Sequence, residues 1–149
     1  MKIGILCYPT FGGSGVVATE LGKSLSEKGN IVHFISYAQP ARLNLISDNL
    51  FYHEVSVKNY PLFDFPPYET SLTSKLVEIV KFERIELIHV HYAIPHASAA
   101  ILAKEILKTM GINIPVITTL HGTDITLVGK DPSCNCLLYT SDAADESDR

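Results

Sequence analysis

Gly12-Gly13-Ser14-Gly15 stands between an apolar run, Lys2 to Cys7, and a helical pattern that continues to about Lys28. A glycine-rich strand-to-helix turn lets backbone N–H groups approach an anion with no Cβ in the way, and the helix N-terminus adds partial positive charge. The turn suits a phosphate or a carboxylate, although such turns also serve only to pack helix on sheet. The helix, Gly15 to Lys28, carries Val17, Leu21 and Leu25 on what is expected to be its inward face, and Gly29-Asn30 stops it. Ile31–Ser36 and Phe51–Val57 read as the second and third strands, around a polar loop containing Gln39-Pro40-Ala41-Arg42. Asn59 to Tyr68, with three prolines and four aromatics, reads as a stiff loop. A helix from about Thr70 to Phe82 turns Leu72, Leu76, Ile79 and Val80 inward. Leu87–His91 is the fourth strand, Pro95–Met110 a well-buried helix and Val116–Leu120 the fifth strand.

Alternating strands and helices define an α/β fold, a doubly wound parallel sheet of Rossmann-like type with right-handed crossovers. In the order 3-2-1-4-5 the winding reverses between strands one and four, and ligands bind outside the carboxyl ends there. The loops after strands one, four and five are therefore expected to converge. They hold Gly12-Gly13-Ser14-Gly15, His91-Tyr92-Ala93-Ile94-Pro95-His96 and His121-Gly122-Thr123-Asp124.

The 149 residues, 46% apolar and 19% charged, describe one globular domain with a real core. No apolar stretch is long enough to span a membrane, and the first run leads straight into the glycine turn, so a cytoplasmic location is the expectation. Three cysteines, one on the first strand and two near the C-terminus, make no disulfide framework. Residues 134–149 contribute −3 of the net charge of −4, which leaves no electrostatic pointer to nucleic acid. The alternating pattern stops at Ser133. The string from Cys136 to Glu146 resembles the translation of a sequencing adapter, so 134–149 is expected to be a disordered, non-native tail.

Four chemistries compete for the converging loops. Gly13-Ser14-Gly15-Val16-Val17-Ala18 satisfies the dinucleotide fingerprint of an oxidoreductase, yet Phe34-Ile35-Ser36-Tyr37-Ala38 supplies no carboxylate for a ribose. His89 and His91 share a strand face near His96 and His121, as zinc ligands would, but no glutamate stands beside them as a base. A nucleophile elbow at Ser14 fails, because Val16 stands where glycine is required. A nucleotide-sugar glycosyltransferase needs a phosphate cradle, hydroxyl-binding groups and an acceptor pocket in one crevice, and the three loops supply them. A stand-alone anion-binding module is the remaining alternative.

Several segments carry a resemblance: Cys7-Tyr8-Pro9, the glycine turn with Ala18-Thr19-Glu20-Leu21-Gly22, Arg42-Leu43-Asn44, Pro66-Pro67-Tyr68, His89 to His96, and Thr118 to Thr126. Over residues 1–133 the chain resembles the N-terminal, acceptor-side half of the GT-B glycosyltransferases of family 4, in particular those of bacillithiol biosynthesis. The resemblance implies a retaining transfer of GlcNAc from UDP-GlcNAc to the hydroxyl of L-malate, with no cofactor and no metal. It implies small-molecule partners only, neither nucleic acid nor membrane insertion, with a homo-oligomer open for the full-length protein. His121 is the implied catalytic group, as an electrostatic stabiliser beside the donor sugar. Gly13, Ser14 and Gly15 offer N–H groups to a diphosphate or to malate, and Tyr92 and Thr119 orient the diacid. Thr123 lies in the same substrate-binding segment. Asp124 is expected to fix its loop, and Arg42 is a second carboxylate partner by fork geometry. The donor-gripping second domain of such enzymes is not in this sequence, so the chain is expected to be inactive alone and to expose apolar surface.

Overall fold

The computed structural model describes residues 1–44, 47–57, 61, 62, 64–126, 130 and 131. β1 (Lys2–Leu6), α1 (Ser14–Glu27), β2 (Ile31–Ser36), β3 (Leu50–Glu54) and α2 (Tyr68–Glu83) form the first half. β4 (Leu87–His91), an irregular turn (Ala93–Ala97), α3 (Ser98–Thr109), β5 (Val116–Thr119) and α4 (Gly122–Thr126) follow. The five strands are parallel in the order β3-β2-β1-β4-β5, the usual doubly wound order taken from the alternating pattern.

Alternation along β1 sorts the core into two layers. Ile3, Ile5 and Cys7 face one side with Val32, Phe34, Leu50 and Ala18 of α1. Leu6 faces the other with Ile35, Ile88, Val90 and the packed pair α2 and α3. α2 buries Leu72, Leu76, Ile79 and Val80, the face its 3.6-residue period marks. Ala99, Ala100 and Ala103 bring α3 close enough for the Thr73 hydroxyl to donate to the Ala99 carbonyl at 3.3 Å.

α1 departs from its hydrophobic pattern. Its buried residues are Ser14, Gly15, Ala18, Thr19, Gly22 and Ser26, while Val17, expected inside, is 52% exposed. Leu21 and Leu25 are half-buried at the flank. The reason is distance. A Cβ on Gly22 would stand 2.3 Å from Cζ of Phe34, so only a stripe of small residues lets α1 lie this close to the sheet.

Other boundaries move by a few residues. β3 stops at Glu54, before the expected Val57, and α2 starts at Tyr68, before Thr70. The helix expected from Pro95 becomes regular only at Ser98, after an irregular turn in which Ile94 is extended (φ −116°, ψ 130°). β5 is an edge strand. Among the described residues nothing pairs with its outer side, and Ile117 on it is 49% exposed. Phe11, Leu62 and Phe65 are likewise exposed. No described helix is long and apolar enough to cross a membrane.

Candidate active site

The loop leaving β1 turns back against the start of α1. Gly13 has φ 58° and ψ −129°, a backbone state that side chains rarely adopt. Gly15 is required for another reason: a Cβ there would lie 2.6 Å from both the Tyr8 carbonyl oxygen and the Thr10 hydroxyl. The chain itself fills that space. Open approach belongs to Gly12 and Gly13, where a Cβ would meet nothing within 4 Å. No side chain caps α1 and its first turn holds no acid. Val17 donates to the Gly13 carbonyl at 3.2 Å, so the N–H groups of Ser14, Gly15 and Val16 precede the first helical bond at the positive end of the helix.

β4 ends at His91, and Tyr92 follows with φ 83° and ψ 140°. For a residue with a Cβ such a conformation costs on the order of 1–3 kcal/mol. Its neighbours hold it there. The Tyr92 N–H donates to the Thr119 carbonyl and its own carbonyl accepts from the Ala97 N–H, both at 3.2 Å. Its ring stacks on His121 and meets Tyr8 edge-on, each 5.1 Å between centroids, and its hydroxyl is hydrogen-bonded to that of Thr123.

Asp124, fully buried, joins the loops after β4 and β5. One carboxylate oxygen accepts the Ala93 N–H at 3.2 Å and the other accepts the His121 N–H at 2.8 Å. The Tyr8 hydroxyl donates to the Ile94 carbonyl at 3.4 Å and brings in the loop after β1. The three loops thus meet at the carboxyl ends of β1, β4 and β5. Thr119 closes the group, its hydroxyl 2.8 Å from Nε2 of His89.

Four histidines lie beneath and among these loops. His91 Nδ1 is 3.1 Å from His121 Nε2, and His96 Nδ1 donates to the His91 carbonyl at 2.9 Å. Burial, then the neighbouring rings of His89, His121 and His96, pushes His91 down to about 3. Burial also lowers His96 to about 4, against the opposing effect of its bond to His91. Across the sheet, burial and then His53 lower His33 to about 4. Each of these groups titrates near 6.5 when unfolded, so between 6.5 and the folded value the unfolded chain holds more protons. Stability is therefore complete above about pH 6.5 and falls as pH drops toward 4, by about 1.4 kcal/mol per pH unit for each such histidine. Urea denaturation at a series of pH values is expected to show this acid-side slope. A midpoint flat from pH 7 to 5 would contradict burial of neutral imidazoles.

Arg42 does not join the group: it is exposed in the turn beyond β2 and pairs with no acid among the described residues. At the end of β2, Tyr37 packs edge-on against Tyr68, 5.7 Å between centroids, where a dinucleotide site would want a carboxylate. The Cys7 thiol, buried beneath, is pushed by that burial up to about 12. No group of three or more histidines, cysteines or acids among the described residues is placed to hold a metal ion. Cys134, Cys136 and the tail lie outside the described residues. Sequence reasoning missed the left-handed Tyr92 and the pairing of His91 with His121.

A parallel doubly wound sheet with its polar groups gathered at the winding reversal defines a Rossmann-like α/β domain. Residues 11–135 match Glycosyltransferase Family 4, and the chain belongs to that family. It is 53% identical over 138 residues to N-acetyl-alpha-D-glucosaminyl L-malate synthase of Bacillus anthracis, which covers 93% of this chain and 35% of that protein. The chain thus spans about a third of that relative's length. In fold it is similar to a sucrose-phosphate synthase from Thermosynechococcus elongatus, with a TM-score of 0.60 at 14% identity, covering 94% of this chain and 39% of that one. It is also similar to a glycosyltransferase from Rickettsia africae, with a TM-score of 0.53 at 19% identity, covering 78% and 28%.

Proposed function

We propose that this chain is the acceptor-side half of a retaining glycosyltransferase that moves GlcNAc from UDP-GlcNAc to the hydroxyl of L-malate. The observation that carries the reading is the 53% identity to a protein named for that product. In this reaction the bond from sugar C1 to the UDP oxygen breaks, a bond from C1 to the malate oxygen forms, and the malate hydroxyl loses its proton. The uncapped N–H groups at Ser14 and Gly15, reached past Gly13, suit a carboxylate or diphosphate by dipole and by donor geometry. Tyr92, Thr119 and Thr123 offer neutral hydroxyls for a small diacid. His121, with its backbone fixed by Asp124, supports charge near the sugar. Arg42, exposed in the turn beyond β2, is the proposed second partner for a malate carboxylate. UDP-GlcNAc is a substrate, and the reading uses neither cofactor nor metal. In the full-length enzyme of this proposal a second domain grips UDP.

L-malate titrated into the 15N-labelled chain is expected to shift the amide signals of Ser14, Gly15, Tyr92 and Thr119. The chain mixed with UDP-GlcNAc and malate is expected to release no UDP above background. Malate leaving all three loops unmoved would remove the acceptor assignment. Enzyme-like UDP release would remove the division between two domains.

A further inference from the structure

His91 is the last residue of β4 and is almost wholly buried, at 1% exposure. Its carbonyl accepts from His96, and its ring Nδ1 faces His121 Nε2 at 3.1 Å. Its other ring nitrogen, Nε2, is buried without a partner. Two proton arrangements fit a neutral pair. In one, His121 Nε2–H donates to His91 Nδ1, and His91 must carry its own proton on Nε2, an orphaned N–H in the core. In the other, His91 Nδ1–H donates to His121 Nε2, and only a lone pair on His91 Nε2 goes unmet. Buried N–H groups without an acceptor are rarer than under-used acceptors, and the second arrangement avoids one.

We infer that His91 is a positioning residue that fixes the tautomer of His121, holding its proton on Nδ1. Among the described residues that nitrogen has no other partner. His121 therefore offers its free nitrogen as a hydrogen-bond donor and has no free lone pair with which to act as a base. The surroundings keep the pair in register: His121 is stacked on Tyr92, its backbone N–H is bound by Asp124, and the His89 and His91 rings lie 4.7 Å apart. The catalytic meaning of this lock rests on the glycosyltransferase reading, because a donor there suits a sugar or phosphate oxygen. The tautomer itself does not depend on that reading.

Long-range 1H–15N spectra of the chain with labelled imidazoles, without substrate and at about pH 8 where histidine is neutral, read the tautomer directly. His121 is expected to show a protonated Nδ1 and a bare Nε2, and His91 the same pattern. His91→Phe keeps a ring but removes the donor, and is expected to return His121 to the Nε2–H form that free histidine favours in water. His91→Gln, whose amide N–H can take the place of the donor, is expected to restore the Nδ1–H form. A protonated Nε2 on His121 in the unsubstituted chain overturns the inference, whether or not either variant folds. So does a folded His91→Phe chain in which His121 keeps its proton on Nδ1. None of these spectra requires turnover, so failure of the glycosyltransferase reading would show separately, as absent malate binding.

Discussion

Alanine in place of Gly22 is expected to lower the unfolding free energy by about 2 kcal/mol. The new methyl would sit 2.3 Å from Cζ of Phe34, 3.0 Å from its Cε2 and 3.1 Å from Cδ1 of Ile5. Phe34 and Ile5 are fully buried, so neither ring nor methyl has solvent to retreat into. Overpacking of this kind costs about 3 kcal/mol at the upper end of its usual range, and alanine recovers about 1 kcal/mol through better helix propensity. The steric loss wins. Urea denaturation of Gly22→Ala checks the size, and Phe34→Leu in the same chain is expected to recover part of the loss by clearing the ring. A Gly22→Ala protein as stable as the parent would mean that α1 does not lie this close to the sheet.

Asp124→Ala is expected to cost about 3 kcal/mol and to separate the loops after β4 and β5. The buried carboxylate accepts two backbone N–H groups, from Ala93 and His121. Hydrogen bonds to a charged acceptor are worth about 1.5–3 kcal/mol each, and their loss here also strands donors away from water. Asp124→Asn keeps one acceptor oxygen but turns an N–H2 toward the second donor, so a smaller loss is expected. Amide exchange distinguishes the local effect from global destabilisation. The Ala93 and His121 amides are expected to exchange faster than those of β1 under identical conditions. Unchanged protection at both would show that the carboxylate is not what joins the loops.

Much of the architecture was legible because periodicity and topology leave few choices. Short strand runs alternating with helical patterns, with one strand pair joined by a loop, point to a parallel sheet, and its winding reversal gathers the loops after β1, β4 and β5. The inward face of α2 followed from the spacing of Leu72, Leu76, Ile79 and Val80. The same rule failed on α1, because Val17, Leu21 and Leu25 outweigh glycine, alanine and serine on any hydropathy count. Close approach to Phe34 selects small residues, and that constraint lies in the neighbouring strand β2, outside the helix's own pattern. The site was legible as a set of loops and less so as a set of contacts. Asp124 bonds to Ala93 across 31 positions, and His91 pairs with His121 across 30, distances at which no local pattern operates. Tyr92 carries a conformation normally left to glycine, yet nothing in Val90-His91-Tyr92-Ala93 marks it, since the strain is held by tertiary partners.

Among the described residues no strand pairs with the outer side of β5, and an open strand edge of this kind is expected to make the chain's behaviour depend on concentration. Its unpaired N–H and C=O groups form a template on which a strand from a second copy can add, and a β-branched strand such as Val116-Ile117-Thr118-Thr119 is well suited to it. Such pairing would grow the sheet sideways rather than bury its faces. Dilution, or a charged residue in place of the exposed Ile117, is then expected to disfavour such pairing.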